Sequence, residues 1–371
     1  MTTWQDIQTL TNDDIVEWAA AQSWAKDMAE CQQDAEWHAE GDVWTHTKMV
    51  CDQLEHLEGW NELNREHQLI LLFTALLHDS AKPATTCVDP ETGHIRSPKH
   101  ALKGEHLARA VLRDLVCPVP LRERIARMVR FHGRPVFLME RDVPANEVIR
   151  MSWLANNRLL HMFSLADMRG RHTDCHTRTE DDLAYWQITA EDCDCYTQPF
   201  PFGNDHARFT FCRSEKPDRF YTPHEDFSCT VTMMSGYPGA GKDTWLANNR
   251  PEQPVVSLDE IRSELGVDPT GNQGQVLQVA REQCAEHLRA RRDFAYSATN
   301  LTRMVRTRWI DLFADYGARV EIVYVEPPFE TVLQQNRNRD RIVPEDVIRS
   351  LASRVEPPTM TESHDVRIVD S

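Results

Sequence analysis

Apolar residues recur at steps of three and four through the first 190 positions, as in Leu121, Ile125, Met128 and Val129, and this spacing predicts helices. From Pro199 to Asp226 the pattern changes to PFPFGNDHARFTFCRSEKPDRFYTPHED, rich in aromatics, proline and charge and without a helical period. A junction is expected there, with a short strand at Ala207–Arg213. After it, strand and helix signals alternate: CTVTMM, a glycine loop, PVVSL, a helix from about Gln275 to Arg292, FAYSATN, a further helix and RVEIVYVE. That order predicts an α/β domain with a mainly parallel sheet. The expected organisation is an all-α domain over residues 1–198, a junction over 199–228 and an α/β P-loop domain with a helical lid over 229–371.

Several histidines break the pattern by lying on apolar faces. His46 shares a helical face with Met49, Val50, Leu54 and Leu57, while His78 and Asp79 end the run LILLFTALLHD. His100 lines up with Gly104, Leu107, Ala108 and Val111, and His132 lies eleven residues after Leu121. Asp167 follows Leu160 and Phe163 at steps of seven and four. A single such histidine is usually a satisfied core residue, but an ionised, unpaired group placed inward costs several kcal/mol. Five segments carrying that cost together point to a shared compensating charge. Imidazole and carboxylate ligands suit a divalent transition metal: manganese, iron, cobalt, nickel or zinc. A cation of this kind activates water for hydrolysis near neutral pH.

In the C-terminal half, Val231–Met234 reads as a strand and runs into GYPGAGKDT, Gly236 to Thr244. Gly236, Gly241 and Lys242 fit the phosphate-loop pattern GxxxxGK[ST]. Glycines let backbone N–H groups close around the donor phosphates at a helix N-terminus. Gly239, Ala240, Gly241, Lys242, Asp243 and Thr244 are therefore the candidate ATP (or other NTP) contacts, with magnesium. Asp243 stands where serine or threonine is usual, and Thr244 follows it. The next strand, PVVSL, leads to Asp259, a carboxylate expected at a strand's C-terminal end and able to accept a hydroxyl proton. Arg262 lies one helical turn further on. QQNRNRDRIVP then carries Arg337, Arg339 and Arg341, and a helix through it would put Arg337 and Arg341 on one face, as a clamp on the transferred phosphoryl group.

Composition narrows the partners. The 371 residues carry a net charge of −17, which argues against coating long stretches of nucleic acid. Residues 229–371 hold 17 cations against 21 acids, and 16 of the 17 are arginine, the residue that recognises phosphate bidentately. Recognition of a phosphate or strand end fits this balance. No run approaches the roughly 18 to 20 apolar residues of a membrane span. The N-terminus shows no signal peptide, so a cytoplasmic protein without membrane partners is expected. The ten cysteines include a CxC at Cys193 and Cys195, with Cys175 and His176 upstream. The paired spacing of structural zinc sites is missing, and ordinary reduced thiols are expected.

The segments VWTHTKM, LLHDSAK, HALKGE, RFHG and SLADMRGR resemble the HD phosphohydrolase superfamily over about residues 40–175. The resemblance implies that His46, His78, Asp79 and Asp167 hold one metal, and that His100 and His132 complete a second or bind the scissile phosphate. Lys82 would touch a phosphate oxygen. The segments SGYPGAGKDTW, SLDEIR, SATNLT and NRNRDRIVP are similar to 5′-hydroxyl polynucleotide kinases of phage and bacterial RNA repair, over about residues 229–355. That resemblance implies Lys242 on the donor phosphates, Asp259 as general base, Arg262 on the phosphate beside the acceptor nucleotide, and Arg337 and Arg341 as lid contacts. Asn300 would line the acceptor site. The order of the two halves is similar to bacterial HD-polynucleotide kinase fusions. It implies healing of RNA or DNA ends: 5′-phosphorylation, and hydrolysis of 2′,3′-cyclic phosphate or 2′-phosphate. No ligase motif of the K-x-D-G type occurs, so a separate ligase is expected to seal. Two rival classes are a small-molecule kinase fused to a nucleotide phosphohydrolase, and a non-enzymatic nucleotide sensor.

Overall fold

The computed structural model describes residues 2–173, 180–339 and 341–370. Cys175 and His176 lie outside the described residues. Contacts divide the chain into two compact units, Met1–Pro201 and Phe202–Ser371.

In the first unit, five helices build the core: α1 (Val43–His56), α2 (Arg65–Leu77), α3 (His100–Asp114), α4 (Val119–Phe131) and α5 (Asn157–Arg169). The sequence of α2 explains its place. Nine consecutive residues from Leu69 to Leu77 are buried, so this helix is apolar all round and sits inside the bundle rather than on it. It packs against α1, α4 and α5, and α3 packs on α4. Asn64 caps its N-terminus through the amide of His67 at 2.9 Å. Its C-terminal end delivers His78 and Asp79 into the centre of the unit, 1% and 3% exposed. A buried ion network, Arg109 with Glu105 and Glu123, pins α3 to α4.

The second unit begins with α6 (Asp205–Arg213), and here the expectation of a strand at Ala207–Arg213 was wrong. Asn204 caps the segment, its side chain accepting from the amide of Ala207 at 2.7 Å, and the alternating aromatics sit on a helix. Arg208 then reaches the carbonyl of Met360 at 3.0 Å, and Phe209 stacks on His364 at 4.1 Å between centroids. Tertiary packing overrides the β propensity of a short aromatic run.

Among the described residues five strands follow: β1 (Thr230–Gly236), β2 (Val255–Ser257), β3 (Phe294–Ser297), β4 (Arg319–Val325) and β5 (Asp365–Val369). They pair in the order β2-β3-β1-β4-β5, all parallel. The intervening helices are α7 (Lys242–Asn249), α8 (Leu258–Glu264), α9 (Gly274–Arg289), α10 (Arg303–Asp315), α11 (Phe329–Arg337) and α12 (Glu345–Ala352). β1 is the central strand, flanked by β3 and β4, so the loop after it opens at the crevice where connections diverge to opposite sides. Among the described residues no helix is long and apolar enough to cross a membrane.

Candidate functional site

The first unit gathers all six of the candidate metal-ligating residues. His46 Nε2 stands 3.0 Å from Asp167 Oδ1, and His78 Nε2 stands 3.1 Å from Asp79 Oδ2. The other oxygen of Asp79 is 3.5 Å from His100 Nε2, which lies 3.4 Å from His132 Nε2. The opposite ring nitrogens are tied to the backbone. Nδ1 of His78, His100 and His132 each donates to the carbonyl three residues earlier, at 2.8 Å. Nδ1 of His46 faces the carbonyl of Gly170 at 3.1 Å. A histidine held this way keeps its Nε2 lone pair free and aimed inward, the arrangement found behind metal-ligating imidazoles. His78 Nε2 is buried without a hydrogen-bond partner. That nitrogen, set beside the Asp79 carboxylate, fits a divalent cation, with His46, His78 and Asp79 around one position, Asp167 beside His46, and His100 and His132 with Asp79 around an adjoining one.

The electrostatics agree with this donor set. Burial opposes ionisation of Asp79, but neighbouring His78 and Lys82 outweigh it and hold the carboxyl well below its usual range. Asp167 is likewise held down, against its burial, by Arg171 and His46. Burial pushes His132 down to about 4, so it is neutral and able to ligate. Burial also opposes protonation of His46, but its bonds to Asp167 and Glu40 raise it to about 9. A proton there occupies the place a cation would take.

Lys82 is already engaged, donating to Asp79 at 2.7 Å and to Gln33 at 2.6 Å. Sequence reasoning missed three partners. Arg171 donates to Asp167 at 2.8 Å, four residues on. Glu40 accepts from both His38 at 2.8 Å and His46 at 3.1 Å. Only Arg171 had a readable signal, the i,i+4 spacing within SLADMRGR.

In the second unit the phosphate loop leaves β1 at Gly236, whose φ is 149°. A Cβ there would stand 2.4 Å from the carbonyl oxygen of Val325, so only glycine lets β1 and β4 run this close. Lys242 opens α7 and folds back on the loop, donating to the carbonyls of Gly236 at 3.1 Å and Tyr237 at 2.8 Å. Burial lowers it to about 8, opposed by Asp243 and Asp259 and reinforced by Arg339. Asp243 accepts from Ser297 Oγ at 3.3 Å, across to the end of β3. Thr244 is exposed.

Four expectations about this site change. Asp259 is not at a strand end: β2 stops at Ser257, which caps α8, and Asp259 stands in the first turn with its side chain 71% exposed. There it pairs with Arg262, whose Nε donates to Gln273 at 2.9 Å. Arg337 and Arg341 do not share a helical face, because α11 ends at Arg337. Buried Asn336 stops it, bonding the backbone of Val343 twice, at 2.7 and 3.0 Å. Arg337 consequently turns to Glu345 at 2.7 Å, whereas Arg341 reaches Ser263 on α8 at 2.6 Å. Arg339, absent from the expected contacts, is close enough to affect Lys242. Asn300 is buried and donates to the carbonyl of Met234 at 2.7 Å, so its amide secures β1 rather than facing an acceptor.

Asn336 also backs the phosphate loop, since a Cβ at Gly239 would meet its backbone and Cβ at 3.3 Å. Asn336→Ala is expected to destabilise the second unit by roughly 2 kcal/mol through the unpaired Val343 groups, and to weaken ATP binding. Denaturant titration with and without nucleotide measures both effects; unchanged ATP affinity would separate the loop from the lid.

A parallel sheet with a glycine-rich loop at its central strand and a lysine at the following helix defines a P-loop, kinase-like nucleotide-binding domain. Residues 231–358 match the AAA domain family. A CC-adding tRNA nucleotidyltransferase from Thermus thermophilus is 36% identical over 118 residues, 32% of this chain and 24% of that protein. The chain thus spans about a quarter of this curated relative. Among solved structures, a sugar kinase from Janibacter sp. HTCC2649 aligns with TM-score 0.30 at 17% identity, covering 38% of this chain and 85% of its own. A gluconokinase from Sinorhizobium meliloti 1021 aligns with TM-score 0.28 at 17% identity, covering 39% and 83%.

Proposed function

We propose that the chain is a bifunctional nucleic-acid end-healing enzyme: a metal-dependent phosphohydrolase of the HD type in the first unit and an ATP-dependent 5′-hydroxyl polynucleotide kinase in the second. The observation that carries the reading is the convergence of His46, His78, His100 and His132 on Asp79, with Asp167 beside His46, in a chain that also holds a phosphate loop with its lysine. Each unit handles phosphate, and the two reactions are complementary at a broken strand.

In the first unit His46, His78, Asp79 and Asp167, with His100 and His132, would hold one or two divalent transition-metal ions (manganese, iron, cobalt, nickel or zinc). Such an ion would supply Lewis-acid activation of water and of the phosphate. The residues themselves orient and neutralise. Asp79 and Asp167 provide fixed negative charge, and Lys82 and Arg171 stand beside those carboxylates, where an incoming phosphate oxygen finds a donor. Hydrolysis of a 2′,3′-cyclic phosphate breaks one ester P–O bond as water adds to phosphorus, and the released ribose oxygen takes a proton. Glu40 fixes the His46 ring, so Glu40→Gln is expected to weaken metal binding about tenfold. Calorimetric titration with manganese checks this, and unchanged affinity would show the contact to be structural only.

In the second unit Lys242, released from the loop carbonyls, would bind the β- and γ-phosphates of ATP, accompanied by magnesium that offsets their charge. Asp259 would accept the proton of the 5′-hydroxyl as its oxygen attacks the γ-phosphorus, with ADP leaving. Arg262 would hold the adjacent strand phosphate. Arg341 reaches Ser263 on α8 and Arg339 acts on Lys242, whereas Arg337 is paired with Glu345, so Arg341 and Arg339 would serve as the lid contacts. Label transfer from γ-labelled ATP to a 5′-hydroxyl oligoribonucleotide tests the kinase. Label appearing only on nucleosides would redirect the reading to a small-molecule kinase.

A further inference from the structure

The histidine cluster is not equally closed on all sides. The His46 and His78 side chains are 0% and 1% exposed, whereas His100 is 27% exposed, so the cluster opens toward the His100–His132 end. His132 is followed directly by a segment that is unusually apolar for an exposed one. Past α4 the chain turns at Gly133 into a 3₁₀ stretch, Pro135–Glu140, and Phe137 and Met139 on it are 44% and 59% exposed. The Phe137 ring edge comes to 3.9 Å from where a Cβ on Gly133 would stand, which places the ring against the residue next to His132. On the other side of His132, the Phe131 ring has two guanidinium groups nearby, Arg130 5.7 Å and Arg134 5.9 Å from its centroid. Both arginines are about one-third exposed and held in place, Arg130 by Glu105 at 3.6 Å and Arg134 by Glu147 at 3.3 Å.

An exposed aromatic ring with a half-buried one and arginines close by combines base stacking with neutralisation of a polyanion. Their position beside a phosphate-handling centre adds a geometric reason for the ligand to be a nucleotide, with its phosphate at the cluster and its base alongside. We propose that Phe131 and Phe137, with Arg130 and Arg134, form a nucleobase-binding subsite that seats the terminal nucleotide of a 3′-end whose phosphate enters the cluster. The inference rests on the phosphohydrolase reading for the identity of the phosphate, but the subsite makes a separate claim about the base. Stacking is indifferent to base identity, so the subsite accepts all four bases and rejects phosphate esters that carry no ring.

The test uses the full-length protein and an oligoribonucleotide ending in 5-iodouridine 2′,3′-cyclic phosphate. Irradiation of the complex is expected to crosslink the terminal base within residues 131–139, read by peptide mass mapping. Phe137→Ala is expected to weaken binding of the oligonucleotide about tenfold by fluorescence anisotropy and to raise its KM similarly. Phe137→Tyr keeps a stacking face and is expected to restore affinity, which guards against a folding defect in the alanine variant. Crosslinks confined to other segments, or an alanine variant with wild-type affinity, would overturn the subsite. So would a variant whose only change is in sedimentation behaviour, which would mark the surface as a protein interface. If wild type hydrolyses no phosphoester while the crosslink still maps to Phe137, the phosphohydrolase reading fails and the base subsite stands.

Discussion

Asp79→Ala is expected to abolish hydrolysis of 2′,3′-cyclic phosphate ends, by roughly 10³-fold or more, while leaving label transfer from ATP intact. Asp79 is the one carboxylate shared by both proposed positions, with one oxygen 3.1 Å from His78 and the other 3.5 Å from His100. Its removal takes a ligand from each and deprives the half-buried Lys82 of its carboxylate partner. Lewis-acid stabilisation of several kcal/mol would go with it, and each 1.36 kcal/mol is a factor of ten in rate. Metal content of the purified variant, by plasma mass spectrometry, should fall together with activity. Full metal occupancy with lost activity would reassign Asp79 from ligand to substrate contact. Loss of both activities would indicate that folding of the first unit, rather than its site, had been damaged.

Lys242→Ala is expected to reduce phosphoryl transfer by about 10³-fold with hydrolysis at the other site unchanged. The wild-type lysine carries a pH signature as well. Burial holds it down at about 8 in the free protein, and bound phosphates would raise it. Above pH 8 the free lysine is therefore largely neutral and has to take up a proton when ATP binds. Affinity then falls as pH rises from 8, and near pH 8 binding consumes about half a proton. Calorimetry in buffers of differing ionisation enthalpy reads this uptake directly. ATP affinity that stays flat between pH 7 and 9, with no buffer dependence, would remove Lys242 from the donor phosphates.

The two sites differ in how far the sequence disclosed them. His46, His78, Asp79, His100, His132 and Asp167 lie on helices or at their ends, where a polar residue on an apolar stripe is visible as a violation of period. The structure places all six around one centre for the same reason. Glu40 and His38 were invisible because they lie outside regular elements, where no period gives a side chain its direction. In the second unit the loop and its strand were plain, since glycine spacing and backbone geometry are the same fact seen twice. The lid was not. Whether Arg337 or Arg341 faces the loop depends on where α11 stops, and a tertiary contact decides that, the pair of bonds from Asn336 to Val343. The helix at Asp205–Arg213 was missed for a similar reason, because its stability comes from Arg208 and Phe209 docking on distant residues.

If the first unit holds the proposed metal, the burial of α2 ties that ion to the core. His78 and Asp79 extend the least accessible helix in the bundle, so their positions cannot drift without opening the contacts with α1, α4 and α5. Losing that ion and loosening the core would then be one event seen from two ends. By linkage, whatever raised occupancy would slow the opening of the bundle, and a chelator would act as a denaturant selective for this unit. Amide hydrogen exchange along Leu69–Leu77 becomes a gauge of metal occupancy, with no substrate required.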